Sequence, residues 1–312
     1  MASMPETLPC SVVVLTHNRR DLLRENLLSV RAQTVKPAEI VVVDNNSSDG
    51  ASEMVKTEFP EVRLIRVDYD SGVEGFNIGI ENAREDAVGV LDDDTTVPPD
   101  WLAGLYAKLS AEPPDTLIVS PKVVEPGMPQ ELLDSPALNT ERYVDLFEGS
   151  SFMARRKELV ALGMFPKEFF IYGNERDVAA RAAIAGYKIR FCPSVKSFHK
   201  KPYGVRLGRQ NLFLISRNYT WLLLKYYSAS DIARTLFHIL KNALARRDDH
   251  AGLGMDTRAT EGFNRAFKPA NLWYAFSGFT AAVLRVDYWL KNRQVVRKKG
   301  FTLLFDTWRL KE

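Results

Sequence analysis

The chain has 312 residues, 46% hydrophobic and 26% charged, which is enough to bury the core of one large α/β domain with an appendage and too apolar for a disordered protein. Two cysteines, Cys10 and Cys192, exclude a disulfide framework and thiolate zinc sites, and fit a reducing compartment such as the cytoplasm. The formal charge of +3 hides an asymmetry: residues 201–312 carry 20 Lys+Arg against 8 Asp+Glu, net +12, so the rear is expected to face an anionic partner, nucleic acid or a phospholipid surface. The opening MASMPETLPC lacks the charged-then-apolar order of a signal peptide, and no window of 18 apolar residues predicts a spanning helix.

In chain order, SVVVLT (11–16) reads as a buried strand, and DLLRENLLSVRAQ (21–33) sets Leu22, Leu23, Leu27, Leu28 and Val30 at helical spacing. Strand EIVVVDN (39–45), helix SEMVKTEF (52–59), strand VRLIRV (62–67), a glycine-rich loop, helix NIGIENARE and strand AVGVLD (87–92) follow. This alternation predicts a doubly wound, mostly parallel sheet, whose ligands bind outside the carboxyl ends of the strands. Thr16, Asp44 and the run Asp92–Asp94 fall at those ends.

Three consecutive aspartates after an apolar strand need a positive partner, because crowded carboxylates raise one another's pKa. A dinucleotide fingerprint or a P-loop would place glycines where this chain has THNRRD and DNNSSDG, so both are excluded. In an extended segment Asp92 and Asp94 share a side and Asp93 faces the other. Such hard oxygen ligands suit Mg²⁺ or Mn²⁺ bridging to phosphate; the plain alternative is a solvated acidic turn ahead of the helix PDWLAGLYAKL.

SVVVLTHNR, VVVDNNSSDG, SGVEGFNIGI and VLDDDTTVPPDWL, with EGSSFMARRKELVALGMFPKEFFIYGNERDVAARAAIAGYKIRFCP beyond them, resemble family 2 glycosyltransferases of the glycosyltransferase-A fold, especially bacterial rhamnosyl- and galactofuranosyltransferase-like members. The resemblance covers about residues 10–205. It implies a catalytic domain over 1–205, with a nucleotide half at about 10–125 and an acceptor half at about 126–205, followed by a helical region over 206–312. It also implies a pyrimidine nucleotide-sugar donor and a glycan or lipid-linked glycan acceptor, with no nucleic acid. By the same similarity Thr16, Arg19 and Asp44 bound the base pocket, Gly75 and Asn77 in the loop GVEGFNIG meet the donor, Asp92 holds ribose or water near the ion, Asp93 is structural or sugar-facing, and Asp94 ligates the metal.

Inverting transfer needs a carboxylate to take the acceptor proton, and FFIYGNERDVAAR (169–181) offers Glu175 and Asp177. Family members often read ED-x-D here; aligning on Tyr172 and Asp177 puts Glu175 at the usual base, while Asn174 replaces the preceding acid. Asp177 is the alternative base, or an i,i+4 partner of Arg181. His199, expected just past an edge strand, completes the metal site by similarity or is a surface histidine beside Lys200 and Lys201, which with Arg206 either neutralise a leaving diphosphate or begin the basic rear.

The region 207–312 reads as helical, with a polar loop over 241–262 and a basic amphipathic helix AAVLRVDYWLKNRQVVRKKG (281–300). That helix packs within the protein, packs in an oligomer, or lies on an anionic membrane surface, which would place a cytoplasmic enzyme on the inner face of the cell membrane. A sugar-phosphate nucleotidyltransferase and a non-catalytic phosphate- or metal-binding signalling module are the rival functions. The first lacks its glycine-rich signature here, and the second needs neither FFIYGNERD nor the basic rear.

Overall fold

The computed structural model describes residues 6–203, 209–235, 237, 272–297 and 301, and the chain divides into two units, residues 1–170 with 187–203 and residues 171–186 with 204–312. In the first unit β1 (Thr7–Thr16), α1 (Arg20–Arg31), β2 (Lys36–Asn45), α2 (Ala51–Glu58), β3 (Arg63–Val67), α3 (Glu74–Asn82) and β4 (Ala87–Asp92) alternate as expected. The strands pair in the order β3-β2-β1-β4, all parallel. Val12 to Val14 and Val41 to Val43 are completely buried, as strands covered by helices on both faces require. Val12, Val14 and Val42 enter a core with Leu23 and Leu27 of α1, Val55 of α2, and Trp101, Leu102 and Leu105 of α4 (Trp101–Ala111).

The opposite face carries α3, which starts inside the stretch expected to be a glycine loop. A Cβ at Gly75 would strike Leu15 and one at Gly79 would strike Val13, so both glycines let the helix settle close onto β1. β1 and β2 also begin earlier than periodicity suggests, because Thr7 and Leu8 pair with Lys36 and Pro37 ahead of a bulge.

The sheet continues as β4-β8-β6-β9-β5, with β7 on β9. Its members are β5 (Thr95–Thr96), β6 (Thr116–Val124), β7 (Arg142–Val144), β8 (Ser151–Arg155) and β9 (Lys188–His199), and short helices α5 (Gln130–Leu133), α6 (Pro136–Asn139) and α7 (Arg156–Leu162) lie among them. β8 runs antiparallel to β4 and β6, and β9 runs parallel to β6 and antiparallel to β5 and β7. The sheet is mixed but mostly parallel by paired residues. β9 is therefore not an edge strand, and His199 ends it with neighbours on both sides.

The described second unit contains α8 (Asn174–Ile184), α9 (Arg209–Tyr226), α10 (Leu272–Leu284) and α11 (Val286–Lys291). The helix expected over 281–300 breaks at Arg285, whose guanidinium turns to Asp287, and stops at Lys291. Beyond it Gln294 and Val296 donate their backbone N–H groups to Lys225 and Tyr226, which holds that segment out of helical form. The expected loop over 241–262, and residues 298–300, lie outside the described residues.

Candidate active site

The acidic cluster is assembled by β5, only two residues long. β4 ends at Asp92, the chain turns through Asp93 and Asp94, and Thr95 pairs with His199 at the end of β9. His199 Nε2 thereby lies 3.1 Å from Asp94 Oδ1 and 3.9 Å from Asp92 Oδ2. One ligand atom from each of Asp92, Asp94 and His199 falls within 4.8 Å of the others. The other imidazole nitrogen, Nδ1, is 2.7 Å from Oε1 of the buried Glu125, a carboxylate–histidine arrangement that fixes which nitrogen faces the aspartates. Asn26 straddles the turn, its amide donating to the carbonyls of Asp92 at 3.1 Å and Thr95 at 2.6 Å.

The positive partner demanded by the three aspartates is Arg19, whose Nη1 donates to Asp93 Oδ1 and Asp94 Oδ2, each at 3.0 Å. Thr16 Oγ1 donates to Asp93 Oδ2 at 2.8 Å. Burial, assisted by Asp92 and Asp94, pushes the Asp93 carboxyl up to about 6 against the opposing pull of Arg19 and Thr16. Burial also acts to raise Asp94, but the His199 hydrogen bond and charge, with Arg19, bring it below its usual value. Burial depresses His199, and the Asp94 hydrogen bond with the charges of Asp92, Asp94 and Glu148 more than reverses this. Two carboxylates and an imidazole, at spacings one ion could bridge, fit Mg²⁺ or Mn²⁺. Asp92 is the most exposed of the three, so the site opens on its side.

Other residues expected on the donor side have tasks within the loops. Asp44 is completely buried; it accepts from the Ser47 N–H at 2.8 Å and from Arg66 at 3.2 Å, and it also bonds Ser52. Asn77 clamps the backbone of Phe165, donating to its carbonyl at 2.8 Å and accepting from its N–H at 3.0 Å. Gly75 faces Leu15 in the first turn of α3. Gly72, at φ 57, lies against Phe170, where any Cβ would collide with the carbonyl.

In the second unit the entry to α8 is conformationally unusual. Tyr172 holds φ 72 and Gly173 φ 79, and Asn218 of α9 donates to the carbonyls of Ile171 at 2.8 Å and Tyr172 at 2.9 Å. A bulky residue at positive φ is strained, and the buried Asn218 amide holds it there. The first turn of α8 then carries Glu175, half-buried, and Asp177, fully buried. Asp177 bonds Arg181 at 2.8 Å, Tyr226 at 2.7 Å and Lys225. Burial would raise its carboxyl; Lys225, then Arg181, and the hydrogen bonds from Lys225 and Tyr226 hold it below its ordinary value.

Lys200 pairs with Glu25, Lys201 is half-buried, and Arg206 lies outside the described residues. Reading the sequence missed Asn26, Glu125 and Asn218. Asn26 had a signal, since it interrupts the apolar stripe of α1 between Leu23 and Val30, and Glu125 had a weaker one, an acid after β6 ahead of Pro126 and Gly127.

Residues 11–164 match the description of glycosyl transferase family 2. Glycosyltransferase AglE of Haloferax volcanii is 27% identical over 227 residues, covering 66% of this chain and 72% of the relative. The N-acetylglucosaminyl-diphospho-decaprenol L-rhamnosyltransferase of Mycobacterium tuberculosis is 23% identical over 252 residues, covering 64% and 78%. Among solved structures, the mannosyltransferase PcManGT from Pyrobaculum calidifontis, in complex with GDP-Man and Mn²⁺, shares the fold with a TM-score of 0.53 at 22% identity, covering 89% of this chain and 75% of that one.

Proposed function

We propose that the chain, whose residues 11–164 match glycosyl transferase family 2, is a glycosyltransferase of that family that moves one sugar, with inversion and with Mg²⁺ or Mn²⁺, from a dTDP- or UDP-sugar to a hydroxyl of a glycan or lipid-linked glycan. The observation that carries this reading is the convergence of Asp92, Asp94 and His199 on one point, with Glu125 behind the imidazole and Arg19 beside the carboxylates. The Mn²⁺ in the mannosyltransferase and the lipid diphosphate in the rhamnosyltransferase's name support the metal and the acceptor class.

Asp94, His199 and Asp92 would hold the ion, and Glu125 keeps His199 Nε2 turned toward the two aspartates. A bound divalent cation offsets the negative charge that grows on a departing diphosphate. Arg19 adds a positive charge beside the same carboxylates, and Asp93, itself fixed by the Thr16 hydroxyl, accepts from that guanidinium. Glu175 takes the acceptor hydroxyl proton as that oxygen bonds the anomeric carbon and the bond to the diphosphate breaks, a single displacement that inverts the centre. Asp177 makes a poor base, being buried and neutralised by Lys225 and Arg181; it anchors α8 instead.

A thermal-shift panel with Mn²⁺ and dTDP-rhamnose, UDP-galactofuranose, UDP-glucose and GDP-mannose tests the donor. A ligand at 100 times its Kd raises stability by about 2.7 kcal/mol. A shift with a pyrimidine sugar that EDTA abolishes is expected. A shift with GDP-mannose alone overturns the pyrimidine reading, and one that survives EDTA overturns the metal.

A further inference from the structure

Helix α10 is built inside out for a protein surrounded only by water. Its sequence, LWYAFSGFTAAVL, contains no charged residue. The small residues face the protein: Ala282 is buried, Gly278 lies so close to α9 that a Cβ would meet the Phe213 carbonyl, and the Ala275 carbonyl accepts from Ser216 at 2.6 Å. The large residues face outward. Trp273 is 71% exposed, Phe276 63% and Leu284 74%, and Leu272, Phe279 and Val283 are exposed beside them. At 100° per residue these six positions cover an arc of roughly 140°. Together with Val286 and Leu290 they make up eight of the sixteen exposed large hydrophobic residues among the described residues, gathered within 19 positions.

We propose that this face of α10 lies in the surface of an anionic lipid bilayer, with its aromatic side chains among the lipid headgroups and upper acyl chains. A water-facing helix buries its large apolar residues and exposes polar ones, and a contiguous apolar face of this width marks a contact surface. A second copy of the chain is the other natural occupant. Paired helices, however, flank a narrow apolar seam with charged residues that set register, and α10 has none. Trp and Phe on a broad face, with basic residues close by, suit the membrane interface. Here the exposed Lys291 and Arg297 follow the helix. Thirteen residues extend about 20 Å, short of the roughly 30 Å hydrocarbon core. No described helix is long and apolar enough to cross a membrane, so α10 lies along the surface.

The binding differs in kind from attraction by the basic rear alone. Salt screens charges but not apolar contact, so association should weaken at high salt and still persist. It also stands apart from the transfer reaction, because vesicles without any acceptor suffice to detect it. The test is flotation of the full chain with phosphatidylcholine/phosphatidylglycerol vesicles at low and high salt, beside a Trp273→Ser/Phe276→Ser variant. Both sites are exposed, so equal circular-dichroism melting curves should confirm an intact fold. The wild type is expected to float under both conditions and the variant to lose at least about tenfold in bound fraction. The proposal is overturned if the wild type stays in the bottom fraction, if the variant floats equally, or if high salt alone abolishes binding. It is also overturned if the wild type fails to float and sediments as a dimer that the double substitution dissociates, which would give the face to a second copy.

Discussion

Two groups of carboxylates in this protein differ in how closely donors enclose them. Asp92, Asp93, Asp94 and Glu125 form an acidic group in contact with Arg19 and His199. Asp177 is one carboxylate met by Lys225, Arg181 and the Tyr226 hydroxyl. The first set gathers several carboxylates at a place that is partly open on the Asp92 side; the second is a single carboxylate enclosed by donors. Carboxylates gathered at an open place suit a ligand of opposite charge, whereas a carboxylate closed in by donors acts as a clamp. Residue type alone cannot separate the two, because both read as acids near a strand end or a helix start.

Four experiments test that contrast, beginning with the largest effect. If Glu175 is the base and Asp177 the clamp, Glu175→Gln should lower turnover by on the order of 10² to 10⁴ while donor affinity and melting temperature stay near wild type. Steady-state kinetics beside calorimetric donor titration would show it, and a Glu175→Gln enzyme of normal turnover would move the base elsewhere. On the clamp side, Lys225→Met leaves a buried carboxylate short of a partner and should destabilise the fold by about 3–5 kcal/mol, read from urea unfolding. Adding Asp177→Asn should restore part of that loss, and additive losses would mean the two do not interact.

The clamp also has a pH signature. Asp177 is held below its unfolded value, so its charged form is the stabilising one: the contribution is complete above about pH 4 and is lost as pH falls through the depressed folded value. Wild type should therefore lose more stability on acidification through that range than Asp177→Asn, and parallel acid titrations of the two would contradict the ion pair. The smallest effect is expected behind the imidazole. Glu125→Gln should weaken Mn²⁺ binding by about 10- to 100-fold in electron paramagnetic resonance titrations without substrate, and unchanged affinity would leave Glu125 a packing residue.

The parallel part of the sheet, β1 to β4, was legible because its signals are local. Runs such as SVVVLT and EIVVVDN declare buried parallel strands, and helical spacing in α1 places Leu23, Leu27 and Val30 on one face. The aspartate run was legible as a candidate site for the same reason. What periodicity could not show is pairing between distant segments. Two residues, Thr95 and Thr96, have no period to detect, yet their pairing with β9 brings His199 to Asp94 and removes the edge expected there. The tasks of Asp44 and Asn77 were hidden likewise, since they depend on Arg66 and on Phe165, 88 positions away. In the rear, composition drew attention to basic residues over 281–300, while the exposed apolar face lies mainly in the uncharged helix before them.

The two-residue strand β5 has a consequence for the order in which the molecule acquires competence. Its partner lies about a hundred positions later in the chain, and contacts between such distant segments form slowly because a long loop must close first. A chain still emerging from the ribosome can build β1 to β4 and the three aspartates, but His199 reaches them only when the last strand of the sheet docks. The proposed metal site is therefore a report of completed folding. An ion that binds the finished site and not its precursors would draw the folding equilibrium toward the native state, and the growing chain would hold the cation firmly only after the sheet that supports it had closed.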